Sequence, residues 1–268
     1  MYDMHIHTDA SHDCRQTIDE VCLTAIRRGL NGIAICNHAD MGPCDVPNSY
    51  EEMCKCVVDV AASRKKYNLD ILQGIEMAEY VYDPEKGKKM LGICNYDVIL
   101  GSVHYVKYKD IDYAYSKVDF GSMSEDDVKG FLDEYFLRVT EMIEKTEFDV
   151  LAHLTCPIRY INGKYGKNID IMEHREQIQS ILDMIVERSI ALEINTSGIG
   201  TGLADFMPHK DIVQMYAKAG GRLVTISSDA HVPDRIGTGL EEAKKMLKEA
   251  DFDTYCYYKG RAPQFIKL

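Results

Sequence analysis

Met4-His5-Ile6-His7 opens the chain, and Gly32-Ile33-Ala34-Ile35-Cys36-Asn37-His38 follows after one helical stretch. Each is a short apolar run that ends in histidine. Between them, Thr17 to Gly29 carries Ile18, Val21, Cys22, Ala25 and Ile26 at helical spacing, and Gly29 stands where a helix stops. The same alternation continues along the chain. Strand-like runs are expected at Leu69 to Ile75, Asp97 to Val103, Phe148 to Leu151, Ile190 to Ile194 and Arg222 to Ser227. Helical patterns fall at Tyr50 to Tyr67, Asp126 to Thr146, His174 to Arg188, Lys210 to Ala219 and Leu240 to Ala250. Near-continuous apolar strands joined by helices predict a parallel sheet buried on both faces. About seven such units in one chain fit a (β/α) barrel better than an open doubly wound sheet. The nucleotide-binding version of the open sheet also lacks its glycine-rich fingerprint here. Tyr80 to Cys94 is polar and reads as a turn or hairpin excursion. Tyr105, Tyr108, Tyr113 and Tyr115 read as loop and rim packing, and Tyr255 to Tyr258 as a last short strand.

The chain has 268 residues, 46% hydrophobic and 28% charged, an ordinary globular balance expected to form one domain over 1–268. The net charge of −12 argues against docking on nucleic acid or an anionic membrane. Nine cysteines without a Cys-x-x-Cys are too dilute for a disulfide scaffold and read as small buried hydrophobes in a reducing cytosol. The start of the sequence lacks signal-peptide character, and no long apolar stretch could span a bilayer, so a cytoplasmic location is expected.

Histidines and carboxylates mark the strand ends. His5 and His7 end the first run, His38 follows the second, Glu76 the third, His104 the fourth and His153 the fifth. Asp229 and His231 follow the seventh. In a parallel barrel those ends open on one face, so residues far apart in sequence converge. Imidazoles with carboxylates are ligands for zinc, manganese or iron, and so rich a set suggests two or three ions. His174 and His209 fall outside the pattern and receive no role.

The succession His5-x-His7, Asn37-His38, Glu76, Gly101-Ser102-Val103-His104, Leu151-Ala152-His153 and Ser228-Asp229-Ala230-His231 resembles the motifs of the PHP (polymerase and histidinol phosphatase) superfamily. Phe148 to His153, Leu192 to Gly198 and Gly220-Gly221 make the stand-alone histidinol-phosphate phosphatases the nearest subgroup. The resemblance implies a distorted seven-stranded (β/α) barrel with three divalent ions. By it, His5, His7, Glu76 and Asp229 hold the first; Glu76, His104 and His153 the second; and His38, His231 and Asp13 the third, with His12 competing with Asp13. Arg159, Asn195 and Ser197 would contact substrate, and Asp229 or His231 would handle the leaving group's proton.

One position departs from the subgroup, which carries an arginine where this chain has Gly200. Lys107, Lys164 or Lys167 could compensate, and restoring Arg at 200 is expected to improve turnover if the substrate has drifted. The implied reaction is hydrolysis of a small phosphomonoester such as L-histidinol phosphate, in histidine biosynthesis. The alternatives are another small phosphate ester, nucleotide or oligonucleotide, and a non-catalytic metal-binding module. Oligomeric state is left open.

Overall fold

A computed structural model describes residues 1–42, 50–109 and 111–268, with backbone alone described at 111–113; Cys44 and the Tyr113 side chain lie outside the described residues. The strands are β1 (Tyr2–Ile6), β2 (Gly32–Ile35), β3 (His38–Asp40), β4 (Asp70–Ala78), β5 (Val98–Ser102), β6 (Tyr105–Tyr108), β7 (Ile111–Ala114), β8 (Val150–Leu151), β9 (Ala191–Asn195), β10 (Val224–Ser227), β11 (Thr254–Lys259) and β12 (Ala262–Lys267). The helices are α1 (Ile18–Arg27), α2 (Tyr50–Lys66), α3 (Pro84–Leu91), α4 (Glu125–Lys145), α5 (Pro157–Ile161), α6 (Arg175–Glu187), α7 (Lys210–Lys218) and α8 (Leu240–Glu249).

Seven strands pair in parallel in the order β1-β2-β4-β5-β8-β9-β10, and β3 continues the line of β2 along β4. The first and last strands meet at one end, where His7 N–H donates to Ala230 O at 3.1 Å and nearly closes the barrel. Period-two alternation sorts the side chains. Met4, Ala34, Cys36, Leu72, Val98, Leu100, Val150 and Ala191 fill the interior, while Ile33, Ile71, Ile99, Leu192 and Ile226 lie in the larger core. The interior is narrow. A Cβ at Gly74 would overlap Cys36 Sγ and lie 2.9 Å from Val98 Cγ1, so only glycine fits there. Continuing the same alternation along β4 from Leu72 and Gly74 brings Glu76 to the upper end.

The lower end is closed by the β11–β12 hairpin. Cys256 and Tyr258 pack into the interior core, and Tyr257 stacks on Tyr2 with ring centroids 3.9 Å apart. Lys259 pairs with Asp70 and Arg261 with Asp149, both near the starts of their strands.

Several elements differ from the sequence expectation. Residues 80–94 form a 3-10 turn and α3, because the Asp83 carboxylate accepts from Lys86 N–H and Pro84 occupies the first helical turn. The Tyr-rich stretch is an antiparallel pair, β6 with β7, and Tyr105 and Tyr115 are buried. β3, α5 and β12 are short elements the periodicity did not reveal. His174 is buried beside Asp133 and Gln177, and His209 caps α7. The described cysteines are all free, and most are buried. No helix among the described residues is long and apolar enough to cross a membrane.

Candidate metal centre

The expected strand-end residues converge at the upper end of the barrel. His5 and His7, held beside each other by β1, bring their Nε2 atoms to 3.0 Å. His7 Nε2 lies 3.2 Å from Asp229 Oδ1, and His5 Nε2 lies 3.3 Å from Glu76 Oε2. The other Glu76 oxygen faces His153 Nε2 at 2.8 Å and His104 Nε2 at 3.2 Å. His38 Nδ1 stands 2.7 Å from Glu76 Oε2. One carboxylate is thus shared among imidazoles from β1, β3 and the ends of β5 and β8. Asp13 faces His38 Nε2 at 3.5 Å and His231 Nε2 at 3.4 Å, while His12 points instead toward Asp40, 3.9 Å away. His153 (φ 27°) and Asp229 (φ 50°) sit in the left-handed region that disfavours side-chain-bearing residues.

This arrangement has a consistent electrostatic signature. Burial alone would raise the Glu76 pKa, but His38, His104 and His5 hold it well below the usual carboxylate range. Burial also opposes ionisation of Asp229, and His5, His7 and His231 overcome it in the same way. His7 is pushed well below the ordinary histidine value by burial and by its neighbours His231 and His38, which favours a neutral ring with a free lone pair. Burial works against a charged His5, yet Glu193, Glu76 and Asp229 raise its pKa.

The donor set fits divalent cations. Glu76 Oε2 and His38 Nδ1 are buried without a geometrically sound hydrogen bond. The His5 and His7 Nε2 atoms face each other at 3.0 Å, close enough for both lone pairs to turn to one shared cation once the rings are deprotonated. Three compact groups offer ligand atoms within 4.8 Å of one another: His5, His7 and Asp229; Glu76, His104 and His153; His7, His38 and His231. A fourth group, His38, Asp40 and His104, overlaps them.

Sequence reasoning missed the residues that fix these rings. Glu193 accepts from His5 Nδ1 at 2.8 Å, from His153 N–H at 2.6 Å and from Ser227 Oγ at 2.5 Å. Asp40 faces His104 Nδ1 at 3.0 Å, and Ser11 Oγ meets His7 Nδ1 at 3.0 Å. Such partners set the tautomer and aim the opposite nitrogen. Glu193 lies inside the Leu192 to Gly198 stretch, two residues before Asn195 on one strand face, a position that could have marked it.

Arg159, on α5, reaches the mouth. Its Nη1 donates to Ser197 Oγ at 2.7 Å and its Nη2 to Tyr160 Oη at 3.0 Å, and it stands 4.0 Å from Asp229. Asn195 Oδ1 accepts from Ser197 N–H and Oγ, at 3.0 and 2.7 Å. The cavity beside these groups is walled by Tyr115, Tyr160 and Lys117. The lysines suggested as substitutes for an arginine at 200 lie elsewhere. Lys167 donates to Met123 O, Lys164 lies over the Tyr165 ring, and Lys107 is exposed on β6. Among the described residues, Lys117 is the lysine that lines the mouth.

The chain is similar over its full length to a probable histidinol-phosphatase of Thermotoga maritima, 28% identical with 100% of both chains covered. A probable histidinol-phosphatase of Clostridium acetobutylicum is 29% identical over 97% of each chain. In fold it resembles the crystal structure of the Lactococcus lactis histidinol phosphate phosphatase complexed with zinc, L-histidinol and phosphate. That TM-score is 0.81, at 23% identity over 98% of each chain. The PHP domain family matches residues 3–197, the span from β1 through Arg159 and Ser197, and on that match the chain belongs to the PHP domain family.

Proposed function

We propose that this chain is a metal-dependent phosphomonoesterase that hydrolyses L-histidinol phosphate to histidinol and phosphate, a step of histidine biosynthesis, in the cytoplasm, with 1–268 working as one barrel. The observation that carries the reading is the gathering of His5, His7, His38, His104, His153 and His231 with Asp13, Glu76 and Asp229 beside Arg159. The similarity to histidinol-phosphatases along the whole chain supports the ester.

Three divalent ions fit the residues. His5, His7, Glu76 and Asp229 would hold one; Glu76, His104 and His153 a second; and Asp13, His38 and His231 a third. The distances from Asp13 to both rings favour it over His12. Zinc, manganese and iron all suit imidazole and carboxylate donors. When bound, such ions supply Lewis acidity toward phosphoryl oxygens and make a water more acidic.

The chain's own residues do the rest. Arg159 is pinned by Ser197 and Tyr160, so its remaining N–H groups can meet a phosphate oxygen without first being ordered. Its fixed positive charge stabilises the phosphoryl oxygens as charge moves outward in the transition state. Ser197 Oγ holds Arg159 and Asn195 Oδ1 holds Ser197, so both serve the ester from behind that arginine. Asp229, kept deprotonated by its imidazole neighbours, takes a proton from the attacking water. Asp229 then passes that proton to the leaving alkoxide, with His231 beside it, its Nδ1 at 3.0 Å from Asp229 O.

A second reading, another small phosphate ester, draws on Gly200. Phosphate release from a panel of phosphomonoesters and diesters by metal-loaded protein tests both. We expect histidinol phosphate to give the highest kcat/KM and diesters to be inert. Preference for a nucleotide or other ester would replace the first reading with the second, and an inert enzyme would reject both.

A further inference from the structure

We propose that Arg235 is a positioning residue for the phosphate-binding arginine, acting through the turn after β9. Arg235 lies in the loop after β10, which is anchored on both sides. The Asp3 carboxylate accepts from Gly237 N–H at 2.8 Å, and Arg28 donates to Asp234 O at 2.7 Å and Ile236 O at 2.6 Å. From this base, Arg235 Nη2 donates to Ser197 O at 3.0 Å and Ile199 O at 2.5 Å. One guanidinium thus fastens two carbonyls of the same turn. Thr196 Oγ1 adds a bond to Thr238 O at 2.5 Å, so the two loops are joined twice.

Gly200 is the reason this clamp fits. Its φ is +79°, and a Cβ there would lie 2.8 Å from Arg235 Nη1. The space a side chain at 200 would need is occupied by Arg235, which reverses the expectation that an arginine at 200 would help. Such an arginine would strain the backbone and displace the clamp.

The turn matters because it carries Ser197, whose hydroxyl holds Arg159 Nη1 at 2.7 Å. A path of hydrogen bonds therefore runs from Arg28 through the loop after β10, Arg235 and Ser197 to Arg159. Loss of Arg235 frees the Ser197 carbonyl and loosens the grip on Arg159, without touching any group of the proposed metal centre.

This inference rests on the phosphatase reading for Arg159's role, so its test uses inorganic phosphate, whose binding does not depend on which ester is the substrate. The affinity of metal-loaded protein for inorganic phosphate is measured by calorimetry for the parent, R235A, R159A and R159A/R235A. We expect R235A to weaken phosphate about five- to tenfold, the scale of one ordinary hydrogen bond, because the loss reaches phosphate only through Arg159. Where an ester is turned over, its KM should rise with little change in kcat. In the R159A background, R235A should add less than about twofold, since both act on one contact. A merely structural arginine would show the same loss in both backgrounds. Should R235A fail to fold, G200A keeps both arginines but crowds the guanidinium, and should weaken phosphate in the same direction. Unchanged phosphate affinity in the folded variant, or equal losses with and without Arg159, overturns the proposal. A parent that binds phosphate but does not hydrolyse histidinol phosphate would instead overturn only the substrate.

Discussion

His5 Nδ1 faces the Glu193 carboxylate at 2.8 Å, which leaves Nε2 directed toward His7 and Glu76. Glu193 thereby governs a nitrogen it does not touch. Glu193→Gln keeps the shape but exchanges one acceptor oxygen for an amide donor, so it can accept on the side of His5 and Ser227 or on the side of His153 N–H and Asn195, and not on both. The expected outcome is a ten- to hundredfold loss of metal affinity, of the order seen when a ligand's supporting hydrogen bond is removed. A competitive titration against a chromophoric chelator measures it, and parental affinity in the variant would show that Glu193 is only packed there. The histidines could be read from the sequence because metal chemistry demands particular residue types at strand ends. The roles of Glu193, Asp40 and Arg235 could not. A carboxylate that meets the far side of an imidazole obeys no spacing rule toward it, and 188 positions separate Glu193 from His5.

Among the elements, β4 carries a tight constraint beside the candidate site. Gly74 lies between Cys36, which follows β2, and Val98 of β5, its neighbours on either side, two residues before Glu76 on the same strand. Gly74→Ala must push β2 and β5 apart, and overpacking of this kind costs about 1–3 kcal/mol. Urea denaturation should show a lower midpoint with an unchanged slope. Because the strand must shift to accept the methyl group, metal affinity should fall as well; parental values for both would mean the interior has slack that the distances deny. The strands and long helices were legible because burial on both faces gives continuous apolar runs, and amphipathic helices give a clear period. α5 spans too few residues to display a period, although it delivers Arg159. α3 is short and rich in lysine, and only its Asp83-Pro84 start gave a signal. β12 is largely exposed, so little apolar alternation marks it.

Over the whole molecule, the barrel has two ends with opposite chemistry. The β11–β12 hairpin seals one with Cys256 and Tyr258, and the other gathers carboxylates and imidazoles in a protein of net charge −12. Concentrating Glu76, Asp229, Asp13 and Glu193 at one mouth of an acidic chain opposes folding unless positive charge enters. Protonated histidines supply some of it, and divalent ions would supply more while drawing an anionic substrate inward. An ion that binds the folded state alone, present at about 100 times its dissociation constant, adds about 2.7 kcal/mol per site. In a chain of this size each kcal/mol moves the Tm by about 2–4 °C. Stripping the protein with a chelator should therefore lower the Tm by about 5 °C or more, and titrating zinc back should restore it until elemental analysis finds close to three ions per chain. Full recovery with one ion would reduce the centre to a single site. A Tm indifferent to both chelator and zinc would mean that the imidazoles neutralise the mouth unaided, and that these ligands were gathered for something other than metal.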